Sequence, residues 1–586
     1  MTLGYFSAGD SPFFFTEQLQ QIDWLPRIWD ATSGFGRNLL FQLWIDYPIR
    51  LFIKLASTIG LDWWSIDKIL WILPAVLMIH SVWSLTRRLA FPRWARIISI
   101  LVYMANTYSL LLFDGGQRGV MLAYSFVPLV LSAFFEHIEE FHSVKRSMVT
   151  QLYSHARLGL LLGILIAFDL RFMYLTMIAL GIFLCIFCIH HRVAIRSILH
   201  MLLHIFPVPI VVAVGIHAFW ILPAILARGS TSLSQEYTSA GMLRFLSVAD
   251  FSHALSLLHP NWPENLFGKV YFLQPEFLLL PILAFASLLF VTHKKNQDHT
   301  AKLRVVFFVL LSLVGAFFAK GVQEPMGGIF AWMFDHVPGF VMFRDPTKFY
   351  LFTSLGYAVA IPYTLIHMSS YLGRVLPSRK SRQSGVYVIP VLFVGMWLFM
   401  MRPVYLGTVS GNFSPKSVPA EYVRLKDMLI ADPTPSRVLW LPTAEKFSYK
   451  SDIHPALTSE ILFGTSSISG ILDIIDSSAF EKKLRENGVK YVVVPIDVWR
   501  RFFLREYKYE STDRERLILA LRNRMSQKDT SFTQLAVFVH LPFTFVSHTP
   551  SHVSTQIHWM KRGLVVSAVV FVLACLILVK YRRHKS

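Results

Sequence analysis

Ten apolar runs, each long enough to cross a bilayer as a helix, decide what this chain can fold into. A hydrocarbon core about 30 Å thick requires about 20 apolar residues per helix. The runs lie near 66–86, 95–113, 119–135, 172–190, 203–226, 272–292, 304–320, 350–368, 386–402 and 563–580. An eleventh, shorter run near 155–168 is followed by Asp169 and Arg171. The sequence therefore predicts a mostly α, polytopic membrane bundle of about 11 transmembrane helices.

Composition supports a membrane protein and argues against nucleic acid as a partner. The chain is 54% hydrophobic and 16% charged, whereas soluble domains carry about 25% charged residues. Its formal net charge of +20 comes from Lys and Arg clusters that lie between apolar runs, where they orient helices in a bilayer. The expected partners are therefore membrane lipids and not nucleic acid.

The basic clusters predict the orientation of the chain. With eleven spans they fall on one side of the membrane, which the positive-inside rule identifies as the cytoplasm. We expect a multi-pass plasma-membrane protein whose C-terminus is cytoplasmic and whose start and residues 403–562 are extracytoplasmic. The clusters begin at Arg87, Lys145, Arg192, Lys294, Arg374 and Lys580.

Four regions follow from this topology. They are an extracytoplasmic loop with interfacial helices (1–64), the transmembrane bundle (65–402), a small extracytoplasmic α/β domain (403–562), and a last helix with a basic cytoplasmic tail (563–586). The α/β assignment rests on alternating helical and strand-like patterns. "VPAEYVRLKDMLIAD" and "SAFEKKLRENG" predict helices, and "RVLWLP" and "VKYVVVP" predict strands.

Ionisable residues gather at the predicted external ends of the helices, where charge at membrane depth is costly and marks a functional site. Taken singly, each has a structural explanation: a turn, a local ion pair or an interfacial anchor. Taken together they predict a polar site at the outer face. They are Asp10 in "AGDSPFF", Asp114 and Arg118 in "FDGGQRG", Asp169 and Arg171 in "FDLRF", and Arg344, Asp345 and Lys348 in "FRDPTKF".

Several of these strings resemble those of C-type membrane glycosyltransferases, the GT-C superfamily, and in particular bacterial arabinofuranosyltransferase D-type and YfhO-like proteins. The resemblance covers roughly 5–405 and implies a GT-C-like bundle over 65–402. It rests on "AGDSPFF", "FGRNLLFQLWIDYPIRLF", "AFDLRFMYL" and "VPGFVMFRDPTKFYLF", with "GVKYVVVP" beyond them. In that superfamily an essential acidic residue follows a first transmembrane helix. Asp10 matches it by context, so the chain is expected to start at the family's second element.

The resemblance implies transfer of a sugar from a polyprenyl-phosphate-linked donor to an extracytoplasmic cell-envelope glycan or lipid acceptor. Asp10 is then the expected general base. Arg344 and Lys348 are the first candidates to bind the donor phosphate, and Arg171 and Arg118 are the next candidates. By the same analogy, Asp114 or Asp169 is expected to hold a divalent cation, Mg or Mn.

Two further segments are candidates for substrate contact. In "LLHPNWPENLFG", His259, Asn261 and Trp262 are residue types that stack on sugars or hydrogen-bond to them, so they are predicted acceptor contacts. The amphipathic stretch 38–56 either offers Leu40, Trp44 and Phe52 to lipid or donor tail, or is purely structural.

Two other functions remain open from the sequence. The chain is alternatively a transporter or flippase for a lipid-linked glycan, or a non-catalytic membrane scaffold that binds glycan. Transporters commonly carry repeated halves with broken helices. The sequence has no evident internal repeat, and its charges lie at helix ends, which favours the enzyme.

Overall fold

The computed structural model describes residues 4–142, 148–227, 239–262, 273–293, 299–376, 378–409, 411–496, 511–527, 532–546 and 549–585 of the chain. Its first segment is irregular and ends in a helix that precedes the bundle. The elements of this segment are α1 (Thr16–Gln20), β1 (Trp29–Asp30), β2 (Arg37–Asn38) and α2 (Leu43–Thr58). Strands β1 and β2 form a small antiparallel pair, and α2 stays continuous through Pro48.

Seventeen helices form the bundle before the external domain, as far as the chain is described. They are α3 (Trp63–Arg88), α4 (Arg93–Met104), α5 (Thr107–Asp114), α6 (Arg118–His142), α7 (Met148–Phe168), α8 (Leu170–His190), α9 (Ile195–Ile205), α10 (Pro207–Ile216), α11 (Ala218–Leu226), α12 (Ala240–Leu246), α13 (Phe251–Leu255), α14 (Leu279–His293), α15 (His299–Ala319), α16 (Gly327–His336), α17 (Tyr350–Val375), α18 (Arg379–Met400) and α19 (Arg402–Tyr405).

The helices confirm a polytopic membrane protein of mostly α structure. Within the described residues, eight helices are long and apolar enough to span a bilayer, and α4 with α5, bent by 49°, makes a ninth. Shorter apolar helices at Pro275–Val291 and Ser384–Met400 occupy the other two predicted runs. The shorter eleventh run, 155–168, lies within α7, which begins at Met148. The run at 203–226 differs from expectation. The spanning helix is Arg196–Ile216, with a local irregularity at Phe206, and a separate helix, α11, begins after His217.

Helix α17 is the centre of the bundle. Its side chains from Tyr350 to Leu365 are buried, and it packs against α4, α14, α15 and α18. A helix that is apolar all round is expected at such a central position. The 3₁₀ turn before it, Pro346–Phe349, carries Lys348, so the central helix of the bundle positions one of the predicted site residues.

The segment after the bundle folds around a five-stranded sheet. Strand order is β4-β3-β5-β7-β6; β3 pairs in parallel with β4 and β5, and β7 pairs antiparallel with β5 and β6. Helices cover the sheet, and α25 then returns to the bundle. These elements are α20 (Ala420–Ala431), β3 (Arg437–Trp440), β4 (Ala456–Thr458), α21 (Ser459–Phe463), α22 (Ile468–Asp476), α23 (Ala479–Glu486), β5 (Val489–Val494), α24 (Ser511–Arg522), β6 (Ser526–Gln527), β7 (Ala536–Val539) and α25 (His552–Lys585).

The first segment of the chain is bound to this sheet domain as well as to the bundle. Tyr5 and Lys416 exchange backbone hydrogen bonds, and the backbone N–H of Gly34 donates to the carbonyl of Ala456. Phe13 and Phe15 pack into the core of the sheet domain. The regions predicted as 1–64 and 403–562 therefore form one surface over the end of the bundle, and the candidate site lies beneath it.

Candidate active site

A cavity of about 850 Å³ lies where the first segment meets the ends of α6, α8 and α17. Asp10 lines it, and so do all four residues predicted to bind phosphate: Arg118, Arg171, Arg344 and Lys348. These residues are separated by up to 338 positions in the chain. The structure thus brings the predicted base and the predicted phosphate-binding residues to one cavity.

Two interlocked turns hold Asp10 at the cavity. The backbone N–H of Asp10 donates to the carbonyl of Gly115, 2.8 Å away, and Ser11 N–H donates to Ala8. Gly9 and Gly116 both have positive φ, +53° and +73°, a region that glycine adopts at no steric cost. A Cβ on Gly9 would overlap the carbonyl of Gly115, and one on Gly116 would overlap that of Ala8. Main-chain contacts therefore fix the loop, and the exposed Asp10 side chain stays available.

Gly116→Ala is expected to displace this loop. The new methyl group meets backbone atoms in a left-handed conformation, so we expect a cost of about 1–3 kcal/mol in the free energy of unfolding. A thermal unfolding series in detergent measures it. Gly181→Ala is the control, because no atom lies within 4 Å of its added Cβ and alanine favours a helix by about 0.5–1 kcal/mol. Equal stability of the two variants would refute the interlocked-turn account.

Lys348 is the most buried cation among the predicted phosphate ligands, with a side chain 3% exposed. Its Nζ donates to Asp345 Oδ2 at 2.7 Å and to Gln117 Oε1 at 3.1 Å. Burial alone would raise the pKa of Asp345, but the Lys348 ammonium and the hydrogen bond from Thr347 hold it at about 2. The Asp345 carboxylate therefore remains ionised throughout the physiological pH range.

The two arginines of the helix ends are held by carboxylates buried behind the cavity wall. Arg171 forms a bidentate pair with Asp169, with Nη2 2.6 Å from Oδ2 and Nε 3.0 Å from Oδ1. Arg118 pairs with Asp67 of α3, whose side chain is fully buried and whose Oδ2 also accepts from the backbone N–H of Phe6. Each guanidinium is fixed in direction by its partner, which preorganises the wall.

The cavity has a charged wall and an apolar wall. Its charged lining consists of four bases and two acids, Asp10 and Asp345. Cationic groups therefore outnumber acids at the surface, and Asp67 and Asp169 pair with two of them from behind the wall. The apolar wall comes from α2 and α12: Ile45, Ile49, Met242, Phe245 and Leu246. A ligand that carries both a phosphate and a hydrocarbon chain matches this pair of surfaces.

The residues of the stretch 38–56 that line the cavity are not those that the first of its two interpretations offered to lipid or donor tail. Leu40 is buried in a cluster with Phe219 and Met560, and Phe52 packs in the cluster that contains Trp63. Leu40 and Phe52 are thus structural, whereas Ile45 and Ile49 line the cavity. Long-range packing of the first segment decides the rotation of this helix, and periodicity alone does not.

The predicted cation ligands, Asp114 and Asp169, do not form a metal site in the conformation described. Both oxygens of Asp169 accept hydrogen bonds from Arg171. Asp114 is 1% exposed and lies against Gly411, and it is not among the residues that line the cavity. Among the described residues, no group of three His, Cys, Asp or Glu side chains is arranged to hold a metal ion. A Mg- or Mn-like cation stays a prediction without a fitting ligand set.

The predicted acceptor contacts are buried away from the cavity. His259, Asn261 and Trp262 are 8%, 1% and 1% exposed, and none of them lines the cavity. The ring of His259 packs beside the stacked rings of Tyr108 and Tyr350, with centroids 6.5 and 5.6 Å away. Their residue types suit a sugar, but in this arrangement they form part of the core and offer a glycan no access.

The burial of His259 has a consequence for stability. Burial lowers its pKa to about 4, and the Lys348 charge acts in the same direction although Asp345 opposes it. An unfolded chain binds this proton near pH 6.5, so stability is full above that pH and falls as the pH drops to about 4, by about 3 kcal/mol. We expect His259→Gln to flatten this part of the curve of unfolding free energy against pH. Exposed His336→Gln is the control; an unchanged slope in His259→Gln would contradict the assignment.

Three functional candidates were missed by the sequence analysis. Asp67 was overlooked inside an apolar run, although a carboxylate at membrane depth is itself a signal. Gln117, next to Arg118, binds Lys348. Lys446 of the sheet domain donates hydrogen bonds to the carbonyls of Gly9 and Ser11, which flank Asp10; nothing in its local sequence indicates a contact with residues 435 or more positions away.

Comparison with solved structures identifies the fold. The chain is similar to mycobacterial arabinofuranosyltransferase AftD solved by cryo-electron microscopy, with a TM-score of 0.55 and 14% identity over 88% of this chain and 37% of that one. A mutant of the same protein matches in two classes, with TM-scores of 0.53 and 0.51 and identities of 13% and 14%. No protein-family model matches, and no curated protein matches either.

These matches confirm the fold resemblance that the sequence motifs suggested. The chain spans only about 37% of the length of the solved relative, and at 14% identity the likeness concerns the fold alone. The chemistry of this chain must therefore be argued from its own cavity.

Proposed function

We propose that this protein is a membrane glycosyltransferase that transfers a sugar from a polyprenyl-phosphate donor to a glycan or lipid acceptor on the extracytoplasmic side. One observation carries the proposal: a single cavity joins an exposed carboxylate, a wall of four bases, and an apolar wall formed by α2 and α12. The fold likeness to an enzyme named as an arabinofuranosyltransferase supports the reaction class.

The transfer step assigns one role to each wall. The carboxylate of Asp10 takes the proton of the acceptor hydroxyl as its oxygen bonds to the anomeric carbon. The bond from that carbon to the donor phosphate oxygen breaks at the same time, and its electrons leave with the polyprenyl phosphate. Lys348 and Arg344, with Arg171 and Arg118, stabilise the charge that develops on the phosphate. The step needs no co-reactant.

The apolar wall explains why such a donor suits this position. Ile45 and Ile49 of α2, with Phe245 and Leu246 of α12, give the first isoprene units a surface next to the basic wall. Burying apolar area contributes about 25 cal/mol per Å², which favours a lipid-linked over a water-soluble donor. A nucleotide sugar has no hydrocarbon chain to cover this apolar wall. The orientation follows the positive-inside prediction, with the cavity and the sheet domain outside.

Donor turnover tests the proposal. Purified protein in lipid nanodiscs is incubated with radiolabelled polyprenyl-phosphate sugars and, separately, with nucleotide sugars. We expect release of polyprenyl phosphate from at least one lipid-linked donor. We expect no release of nucleotide from the nucleotide sugars. Release only from nucleotide sugars would reject the donor class. Movement of an intact lipid-linked glycan across the bilayer without cleavage would instead support a flippase.

Lys348→Met is expected to weaken donor use because it removes the most buried cation of the wall. Loss of a group that stabilises developing charge typically costs about 10²–10³-fold in rate. The measurement is donor turnover in nanodiscs. Lys320→Met is a matched control, since Lys320 is also buried and its Nζ donates to a neighbour in the sequence, the carbonyl of Gln323. Equal rates in Lys348→Met and wild type would remove Lys348 from the phosphate site.

A further inference from the structure

A second cavity, of about 650 Å³, adjoins the first. It lies between α2, the irregular first segment and the loops of the sheet domain around 444–461. Pro12, Ile45 and Ile49 line both cavities, so the two share a wall. We call this second cavity the interdomain cleft. Its volume is within the range of about 300–1,000 Å³ that small-molecule sites occupy.

The charge of the interdomain cleft differs from that of the first cavity. Acids and bases are nearly balanced, so the cleft gives no preference to a phosphate or another anion. Carboxylates and guanidinium groups at close range instead suit alcohol groups, because the former accept and the latter donate hydrogen bonds. The charged lining residues are Asp23, Asp30, Asp46, Glu445 and Asp452, with Arg27, Arg50, Lys446 and Lys450.

Polar groups of the cleft are held in place before any ligand binds. Arg50 Nε lies 2.7 Å from Asp46 Oδ2, and Lys450 Nζ donates to Ser33 Oγ at 2.8 Å. The hydroxyl of Thr32 donates to Asp30 at 2.6 Å. Burial lowers the pKa of Lys450, although Asp30 opposes that shift. Preorganised groups reduce the ordering cost of binding.

Aromatic rings complete the lining. Phe13, Phe14 and Tyr47 reach the cleft, and Phe14 is fixed edge-on against Trp63 at 4.9 Å. Ring faces pack against the C–H faces of sugars, while amides such as Gln18 and Gln42 can bond to the hydroxyls. Balanced charge, planar polar groups and rings together match a neutral carbohydrate better than a peptide or an anion.

Lys446 connects the cleft to Asp10. It lines the cleft, and its ammonium holds the carbonyls on either side of Asp10. Burial lowers the pKa of Lys446, while the carboxylate of Asp10 favours its charged form. A ligand in the cleft therefore contacts the residue that holds the Asp10 loop.

We infer that the interdomain cleft binds a neutral oligosaccharide, which is the acceptor, with its terminal hydroxyl directed at Asp10. The role as acceptor rests on the proposed function, but binding itself does not. A free oligosaccharide and the headgroup of a lipid-linked glycan share this chemistry, and the arms of the experiment separate them.

Equilibrium binding to the full chain in nanodiscs tests the inference without turnover. Saturation-transfer NMR is recorded with neutral oligosaccharides, with carboxylated analogues of equal length, and with the same neutral glycans on a lipid anchor. Ser33→Trp places a large side chain in the cleft, and Asp46→Asn removes one carboxylate that can accept hydrogen bonds from sugar hydroxyls. Controls of the same chemistry are Ser469→Trp and Asp335→Asn, at exposed positions outside both cavities.

We expect both cleft variants to weaken binding of neutral glycan at least tenfold, and both controls to bind like wild type. Binding of only the lipid-anchored glycan identifies a membrane lipid as its source. Unchanged binding in the folded Asp46→Asn and Ser33→Trp variants, preference for the carboxylated analogues, or no binding by wild type overturns the inference. If the cleft variants weaken binding but no donor turns over, the oligosaccharide site is supported and the proposed transferase is rejected. If donor turns over but the cleft variants bind like wild type, the transferase is supported and the oligosaccharide site is rejected.

Discussion

Asp10→Asn is expected to lower the rate of sugar transfer by about 10²–10⁴-fold, the contribution of a positioned general base. Asparagine has nearly the same shape but cannot take the acceptor proton. The loop itself should persist, because backbone bonds to Gly115 and the Lys446 ammonium hold its main chain and do not involve the Asp10 side chain. The measurement is single-turnover transfer in nanodiscs with donor and acceptor at saturating concentration.

Exposed Asp335→Asn on α16 controls for loss of one surface carboxylate. Unfolding midpoints of both variants should equal that of wild type. A folded Asp10→Asn variant that keeps the full rate would assign the base elsewhere, and Asp345 would then be the other carboxylate that lines the cavity.

Asp67→Ala is expected to be the most destabilising single substitution considered, at about 3–5 kcal/mol. It leaves the Arg118 guanidinium, 5% exposed, without its carboxylate beneath the cavity wall. The double variant Asp67→Leu/Arg118→Met removes both charges and should recover most of the stability, since an apolar pair of similar volume is often as stable as a buried ion pair. Donor binding should remain impaired in the double variant because a phosphate ligand is lost.

Asp62→Ala is the matched control for this pair. It removes the same residue type at the start of the same helix, where the exposed Asp62 caps α3, and should cost about 1 kcal/mol. Chemical unfolding followed by tryptophan fluorescence compares the three variants. An Asp67→Ala variant no less stable than Asp62→Ala would show that the buried pair does not support the wall.

The sequence predicted the charged wall because the number of membrane crossings between two loops decides whether they lie on the same side of the membrane. Arg118, Arg171 and Lys348 each stand at the start of a helix whose preceding loop was assigned to the same face. No side-chain packing is needed for that inference. Asp10 joined them through its motif, and the structure adds the two positive-φ glycines that explain how it is held.

Predictions that depended on tertiary packing fared differently. Residue type suggested a sugar contact for His259, but its burial beside Tyr108 and Tyr350 is decided by helices far away in sequence. Asp114 lies against Gly411, almost 300 residues away, so local sequence could not reveal its position. Pairing of Asp169 with Arg171, in contrast, is local and was one of the structural explanations considered for this motif.

The sheet domain illustrates the same limit. The two helices and two strands that periodicity predicted are present, at Ala420–Ala431, Ala479–Glu486, Arg437–Trp440 and Val489–Val494. Its docking onto the first segment through Lys446 and Lys450 was not predicted, because isolated lysines in a polar loop carry no signal for a distant partner. That docking creates the interdomain cleft.

The most direct test of the account is a structure of the protein in nanodiscs with a non-cleavable polyprenyl-phosphonate sugar. The account predicts phosphonate density within hydrogen-bond distance of Lys348 and Arg344, the prenyl chain along Ile45 and Ile49, and the anomeric carbon facing Asp10. A ligand bound with its phosphonate away from this basic wall, or an empty cavity at saturating ligand, would contradict it.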